Sequence, residues 1–217
     1  MKPLFLTLVG PPGAGKGTQA QILCETFGLG YLSTGEMMRQ AAQAPGPEGD
    51  QLREYASSGH LAPDDFTNAM VARRLDDMPA GCLLDGYPRT LDQAQALDEQ
   101  LAFRDWKLSA ALHLRVPDSV IRSRLLGRRI CPACGSSYHL QFRPPSTSGR
   151  CDADDVQLTQ RADDVAEKIE RRITAYHQLT EPLIAFYTGS SRLITVDASA
   201  DVDDVRDALV DEISRLR

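Results

Sequence analysis

Aromatic residues are scarce, 6% of the chain with a single tryptophan, and lysine is scarcer still, with four lysines against twenty arginines. No apolar run exceeds five residues, which excludes a membrane-spanning helix. Positive charge is not in surplus: 24 Lys and Arg against 30 Asp and Glu leave a net charge of −6, so general affinity for nucleic acid or an anionic membrane is not expected. There is no internal repeat and no long linker. The opening Met1-Lys2-Pro3-Leu4-Phe5 runs straight into a strand pattern, without the apolar stretch and small-residue cleavage site of a secretory signal, so the expected compartment is the cytoplasm. What is present is ordinary for a globular protein, 42% hydrophobic and 25% charged. At 217 residues the chain can bury a core without help from disulfides or metals.

Short apolar runs bounded by turn residues predict buried parallel strands at Leu4–Val9, Cys82–Asp85, Ala110–Val116 and Arg192–Val196. Helical patterns lie between them. Val120, Ile121, Leu125 and Leu126 share a face; Ile169, Ile173, Tyr176 and Leu183 continue another, with Pro182 near its end. Val202, Val205, Leu209, Ile213 and Leu216 give the closing helix an apolar stripe. Strands alternating with helices argue for an α/β doubly wound parallel sheet. Residues 40–64 and 130–160 break the rhythm with Pro, Gly, Ser and cysteine and read as insertions outside the sheet.

Residues 10–18, Gly-Pro-Pro-Gly-Ala-Gly-Lys-Gly-Thr, follow the first strand and precede a helical pattern at Gln19–Phe27. A glycine-rich turn entering a helix surrounds a phosphate with backbone N–H groups, here from Gly13, Ala14, Gly15, Lys16, Gly17 and Thr18. Lys16 adds a point charge for the β/γ-phosphates. The usual pattern places Ser or Thr directly after the lysine; Gly17 intervenes here.

That extra glycine resembles the nucleoside monophosphate kinases. Leu32-Ser33-Thr34-Gly35-Glu36-Met37-Met38-Arg39 is similar to the family's monophosphate motif, Leu83-Leu84-Asp85-Gly86-Tyr87-Pro88-Arg89-Thr90 matches its second signature, and Gln160-Arg161-Ala162-Asp163-Asp164 with Arg171-Arg172 resembles its paired arginines. The order spans nearly the whole chain and most resembles adenylate kinases with a long, zinc-containing lid. The resemblance implies a P-loop NTPase-type sheet with two mobile insertions: a core of residues 1–32, 63–126 and 165–217, an AMP-binding segment 33–62 and a lid 127–164. It implies reversible phosphoryl transfer from MgATP to AMP, giving two ADP. Lys16, Arg128, Arg161 and Arg172 would surround the transferring group; Arg89, with Arg39, would hold the monophosphate, and Arg124 would join the lid-side cluster, completing the catalytic set. ATP would also meet Ser137, Tyr138 and a carbonyl near Ala200. AMP would meet Thr34, Gly35, Arg39, His60, Leu61, Ala62, Gly86, Tyr87, Pro88, Arg89, Gln93, Arg161 and Arg172, with Thr34 and Gln93 at the base. Asp85, at the carboxyl end of a strand, would order Mg²⁺ through water. The expected assembly is a monomer with no nucleic-acid or membrane partner.

Cys131-Pro-Ala-Cys134 is followed after sixteen residues by Cys151-Asp-Ala-Asp154. Two such turns have the spacing of a zinc ribbon, and three thiolates with one oxygen can close a tetrahedral Zn²⁺ site. Asp154 stands at the fourth ligand spacing; His139, Asp152 and Asp155 are rivals. A closed site is structural, because no coordination position is left for substrate. A disulfide, or a segment that has lost its metal, are the other readings. Cys24 and Cys82 lie in apolar patterns and read as small buried hydrophobes. His113 falls in a strand and His177 on a helix, with no partner visible in the sequence. Two functional alternatives stay open: the same fold with another nucleotide pair (GTP:AMP or UMP/CMP transfer), and a non-enzymatic zinc-ribbon module. Asp197-Ala198, where the family prefers Asp-Gly, leaves GTP as donor open.

Overall fold

The computed structural model describes residues 3–58 and 61–216. Five parallel strands form the central sheet: β1 (Leu4–Val9), β2 (Gly30–Ser33), β3 (Gly81–Asp85), β4 (Leu108–Arg115) and β7 (Leu193–Asp197), in the order β2-β3-β1-β4-β7. Every neighbouring pair is parallel. Each connection therefore crosses over a face of the sheet, and helices cover both faces. β1 shows the period of two: Leu4, Leu6 and Leu8 face one cluster, Phe5 and Val9 the other. The first cluster is closed by α1 (Lys16–Phe27), α6 (Asp118–Gly127), α7 (Ala166–Ala175) and α9 (Val202–Ser214). The second is closed by α4 (Asp64–Leu75), α5 (Leu91–Ala102) and α8 (Pro182–Gly189). The loops after β1, β2 and β3 leave the carboxyl ends of the strands, where ligands bind in such sheets.

The two segments that broke the sequence rhythm lie off the sheet. One carries α2 (Thr34–Ala41) and α3 (Pro47–Ser58). The other holds an antiparallel pair, β5 (Arg128–Ile130) and β6 (Ser137–His139), with Arg129 opposite Tyr138.

Three sequence expectations are corrected. The helix expected through Leu183 is broken: a π-helical turn at Tyr176–Thr180 follows α7, and α8 starts afresh at Pro182. Proline has no N–H to continue the ladder but suits a first helical position. Leu126, Val202 and Leu216 are exposed, although placed on buried stripes, while Ile121, Leu125, Val205, Leu209 and Ile213 are buried. The stripe is narrower than the pattern suggests, since each helix buries a strip only as wide as its contact with the sheet. Arg192 precedes β7 rather than opening it.

Candidate active site

The chain leaves β1 at Val9 and enters α1 at Lys16, so the intervening loop sits at the positive end of a helix dipole. Gly13 has φ 78°, and a Cβ there would stand 2.9 Å from Leu125 Cγ, so the loop can pass α6 this closely only with glycine. Lys16 Nζ donates to the carbonyls of Gly10 (2.7 Å) and Pro11 (2.8 Å) in its own loop. Burial lowers the Lys16 pKa to about 8, with the cations of Arg89, Arg172 and Arg128 adding to the effect and Asp85 opposing it. A buried ammonium crowded by like charge is a site short of an anion.

The arginines tell the same story. Arg128 makes a two-pronged pair with Asp164 (2.7 and 2.6 Å), a fully buried carboxylate. Arg172 Nη1 reaches the same Asp164 and also Asp163, each at 3.0 Å. Arg89 Nε donates to Gly86 O at 2.8 Å, and burial lowers its pKa, with Arg172 and Arg39 adding to the effect. Burial, with Arg128 and Arg39, pulls Arg161 down to about 10, and its buried Nε has no hydrogen-bond partner. A buried unpaired donor among cations fits an anionic ligand. Arg124 donates to Ala198 O at 2.8 Å and to the carbonyls of Ser199 and Ala200 at 3.4 Å. Arg39 lies over Gly35, whose Cβ position is 3.2 Å from its Nη1.

These residues face one cleft of about 1890 Å³. A single small-molecule site takes roughly 300–1,000 Å³, so the cleft has room for two nucleotides. It is lined by residues 13–18, by Lys16, Arg39, Arg89, Arg124, Arg128, Arg161 and Arg172, and by Thr34, Gly35, Leu61, Ala62, Gly86, Pro88, Gln93, Ser137, Tyr138 and Ala200. Asp85 also lines it, and its Oδ2 accepts a hydrogen bond from Tyr31 at 3.0 Å. One expected residue differs. Tyr87 is fully buried away from the cleft: its hydroxyl donates to Asn68 Oδ1 at 2.7 Å, and its carbonyl accepts from Thr7 at 2.6 Å. Its alternation with Gly86 and Pro88 turns the ring into the core. His60 lies outside the described residues.

In the same cleft, Thr34 Oγ1 donates to Gly86 O at 2.8 Å. Gln93 accepts from the backbone of Arg89 at 2.7 Å and donates to Asp64 at 2.6 Å. Asp64 also accepts from Thr90, the residue that caps α5. Gly86 has φ 75°, and a Cβ there would meet Arg89 Nη2 at 2.8 Å.

Sequence reasoning missed Asp64, which pins Gln93 from a first helical turn, and the stacked pair His139–Phe142 (4.4 Å between rings), which lines the cleft. The available signal was aromatic: Tyr138, His139 and Phe142 stand close together in a segment poor in apolar residues.

Cys131, Cys134, Cys151 and Asp154 bring one ligand atom each within 4.8 Å of one another. Cys134 and Cys151 are 3.5 Å apart at sulfur, and Cys131 Sγ is 3.2 Å from Asp154 Oδ2. Tetrahedral zinc with Zn–S near 2.3 Å separates its sulfurs by ~3.8 Å, so the set fits with a small adjustment. All five cysteines are free thiols. The rival ligands are engaged elsewhere. His139 Nδ1 accepts from the backbone N–H groups of Gln141 and Phe142, Asp152 accepts from Ser146 N, and Asp155 pairs with Arg150.

Other titratable groups have structural settings. His113 is buried between Thr195 (3.4 Å) and Tyr176 (3.5 Å), and burial lowers its pKa. His177 bridges Glu181 (2.9 Å) and Asp118 (3.2 Å). Cys82 is buried and Cys24 half-buried. Among the described residues no helix is long and apolar enough to cross a membrane.

Comparison with known proteins gives this geometry its context. The family model described as adenylate kinase matches residues 8–192. An adenylate kinase of Symbiobacterium thermophilum is 44% identical over 204 residues, 93% of this chain and 94% of the relative. One from Clostridium novyi is 41% identical over 210 residues, 96% of this chain and 97% of the relative. One from Clostridium perfringens is 41% identical over 209 residues, 95% and 96% respectively. Agreement of that length reaches well beyond a shared phosphate loop, and the chain belongs to the adenylate kinase family, the kinases that move a phosphoryl group between ATP and AMP.

Proposed function

We propose that this chain converts ATP and AMP into two ADP, and the reverse, by holding both nucleotides end to end in the one cleft. The observation that carries the reading is a single cavity of about 1890 Å³ lined together by the phosphate loop, by Thr34 and Gln93, and by the half-buried cations Lys16, Arg89, Arg128, Arg161 and Arg172. Phosphoryl transfer requires in-line placement and neutralisation of charge spread over oxygens, with little covalent work by the protein.

In this reading the N–H groups of residues 13–18, Lys16, Arg124 and Arg128 hold the ATP phosphates, and Ser137, Tyr138 and the Ala200 carbonyl lie along its nucleoside. Arg39 and Arg89 hold the AMP phosphate. Thr34, Gly35, Leu61, Ala62, Gly86, Pro88 and Gln93 form the rest of that pocket. Arg161 and Arg172 stand between the two and stabilise the transferring group. Magnesium, bound with ATP, supplies charge neutralisation on the β- and γ-oxygens; Asp85 would hold its water shell, with Oδ2 fixed by Tyr31. Segments 33–62 and 127–164 act as covers over AMP and ATP on the core formed by the remaining residues, excluding water that would otherwise take the γ-phosphate.

Cys131, Cys134, Cys151 and Asp154 would hold a structural zinc. The core of that segment, among the described residues, is Cys131, Tyr138, Cys151 and Leu158, too little apolar surface to order a segment of this length on its own. A cross-linking ion supplies what packing does not. The protein is proposed to act as a cytoplasmic monomer.

Incubation with ADP alone, followed by chromatography, tests the function. Equal ATP and AMP, formed only with Mg²⁺, is the expected result; no conversion by folded protein would overturn it.

A further inference from the structure

Tyr138 belongs both to the buried centre of the cysteine-bearing segment and to the wall of the nucleotide cleft. Its hydroxyl has two neighbours. The backbone N–H of Asp152 donates to it at 2.8 Å. The sulfur of Cys151 lies 3.4 Å away. An amide N–H can only donate, so this contact occupies an acceptor position on the phenol oxygen. The hydroxyl's own proton is left for Cys151, the one acceptor beside it among the described residues. When Cys151 is a metal-bound thiolate, that contact becomes a charge-assisted O–H···S bond.

We propose that Tyr138 is a positioning residue of the metal centre: its hydroxyl donates to the Cys151 thiolate and holds the lid metal in place while its ring borders the ATP side of the cleft. The inference rests on the zinc reading above. Groups that hydrogen-bond to metal ligands orient them and tune the metal, and their loss commonly costs 10–100-fold in affinity. Here the same residue sits opposite Arg129 in the β5–β6 pair, whose first residue is Arg128. The strand that carries the hydroxyl is thus the strand that aligns the neighbouring arginine, and metal geometry and nucleotide geometry share one side chain.

The test is Tyr138→Phe, which keeps the ring and its packing and removes only the hydroxyl. Zinc content of both proteins is measured first by elemental analysis. Zinc release to a chromogenic chelator is then followed, and the cobalt-substituted proteins are compared through their sulfur-to-metal charge-transfer bands. The expected result is roughly one zinc per chain in the wild type, release about 10-fold or more faster in Tyr138→Phe, and a shifted band. Ser136→Ala serves as the comparison. It removes a hydroxyl 3.1 Å from the exposed Cys134 and should change release less. Equal release rates and unchanged bands in zinc-loaded Tyr138→Phe would overturn this proposal. Wild-type protein without zinc would overturn the metal reading instead. If Tyr138→Phe does not fold, Tyr138→Trp and Tyr138→Leu keep the question open to decision. Variants without a hydroxyl that retain zinc as tightly as the wild type refute the role.

Discussion

Under the phosphate loop, Leu4, Leu6, Leu8, Leu112, Leu114, Ile121 and Leu125 pack between a sheet and helices, and a Cβ at Gly13 would collide with Leu125. In the β5–β6 segment the corresponding centre is Cys131, Tyr138, Cys151 and Leu158, two of which are metal-ligand candidates. Both regions aim cations at the same cleft. The first fixes Lys16 by close packing, which has low compressibility and transmits any change of volume. The second fixes Arg128 with one buried carboxylate, Asp164, and places a cluster of thiols behind the strand pair that carries it. The difference teaches that the two regions hold their cations by different means: the first through a packed apolar core, in which any shift costs contacts, the second through a few polar contacts with little apolar packing behind them.

The largest break in that comparison is expected from Lys16→Ala. It should lower kcat/KM by about 10³-fold or more, as loss of a phosphate-clamping cation does. Thermal stability should hold or rise, because burial and neighbouring arginines already disfavour this charge. A large fall in Tm with activity retained would show that Lys16 serves the fold instead. Next comes Cys131→Ser, aimed at the other region. Loss of the proposed metal should lower Tm by roughly 10 °C, taking about 4 kcal/mol for an ion present at about 1,000 times its Kd and about 2–4 °C per kcal/mol for a chain of this size. The rate at low temperature should fall much less. An unchanged Tm would make the two regions alike in their means of support.

Gly86→Ala probes the cleft wall beside Thr34 and Arg89. The new methyl would press on Arg89 Nη2 and strain a backbone at φ 75°. KM for AMP should rise about 10-fold while KM for ATP changes little, and steady-state kinetics with each nucleotide varied will separate the two. The smallest effect lies outside both regions. The hydrogen bond to Glu181, with Asp118 assisting, raises the His177 pKa. A raised folded-state pKa stabilises fully below about pH 6.5, and the stabilisation is lost as pH rises past the folded value. His177→Gln should therefore cost about 1–2 °C in Tm at pH 5.5–6, and the two proteins should converge at higher pH. A constant difference across the range would assign the effect to packing.

How much was legible follows from how local each signal is. β1, β3 and β4 announce themselves because strands covered on both faces are continuous apolar runs. The phosphate loop is legible because its chemistry sits in nine consecutive residues. β2 was not read as a strand, since Gly30-Tyr31-Leu32-Ser33 is short and half-exposed at a sheet edge. The partners of His113 and His177 lie on other elements: Thr195 and Tyr176 for the first, Asp118 for the second. No spacing rule reaches them. Asp64 was invisible as a support for Gln93 for the same reason. The choice of Asp154 over Asp152 and Asp155 was open in the sequence, and the positions of Ser146 and Arg150 separate them. Leu126, Val202 and Leu216 show the reverse error, in which a regular pattern continues past the surface it was meant to cover.

Arg128 and Arg172 share Asp164, and Lys16 rests on two carbonyls of its own loop. No cation in this group waits bare in solvent for a phosphate. Binding is therefore a substitution, one acceptor displacing another, and its strength is the difference between two sets of contacts rather than the sum of one. A carboxylate standing ready to take the arginines back is a built-in leaving aid. For a reaction that runs in both directions and must let go of two highly charged products each time, a site that merely attracted phosphate would become its own inhibitor.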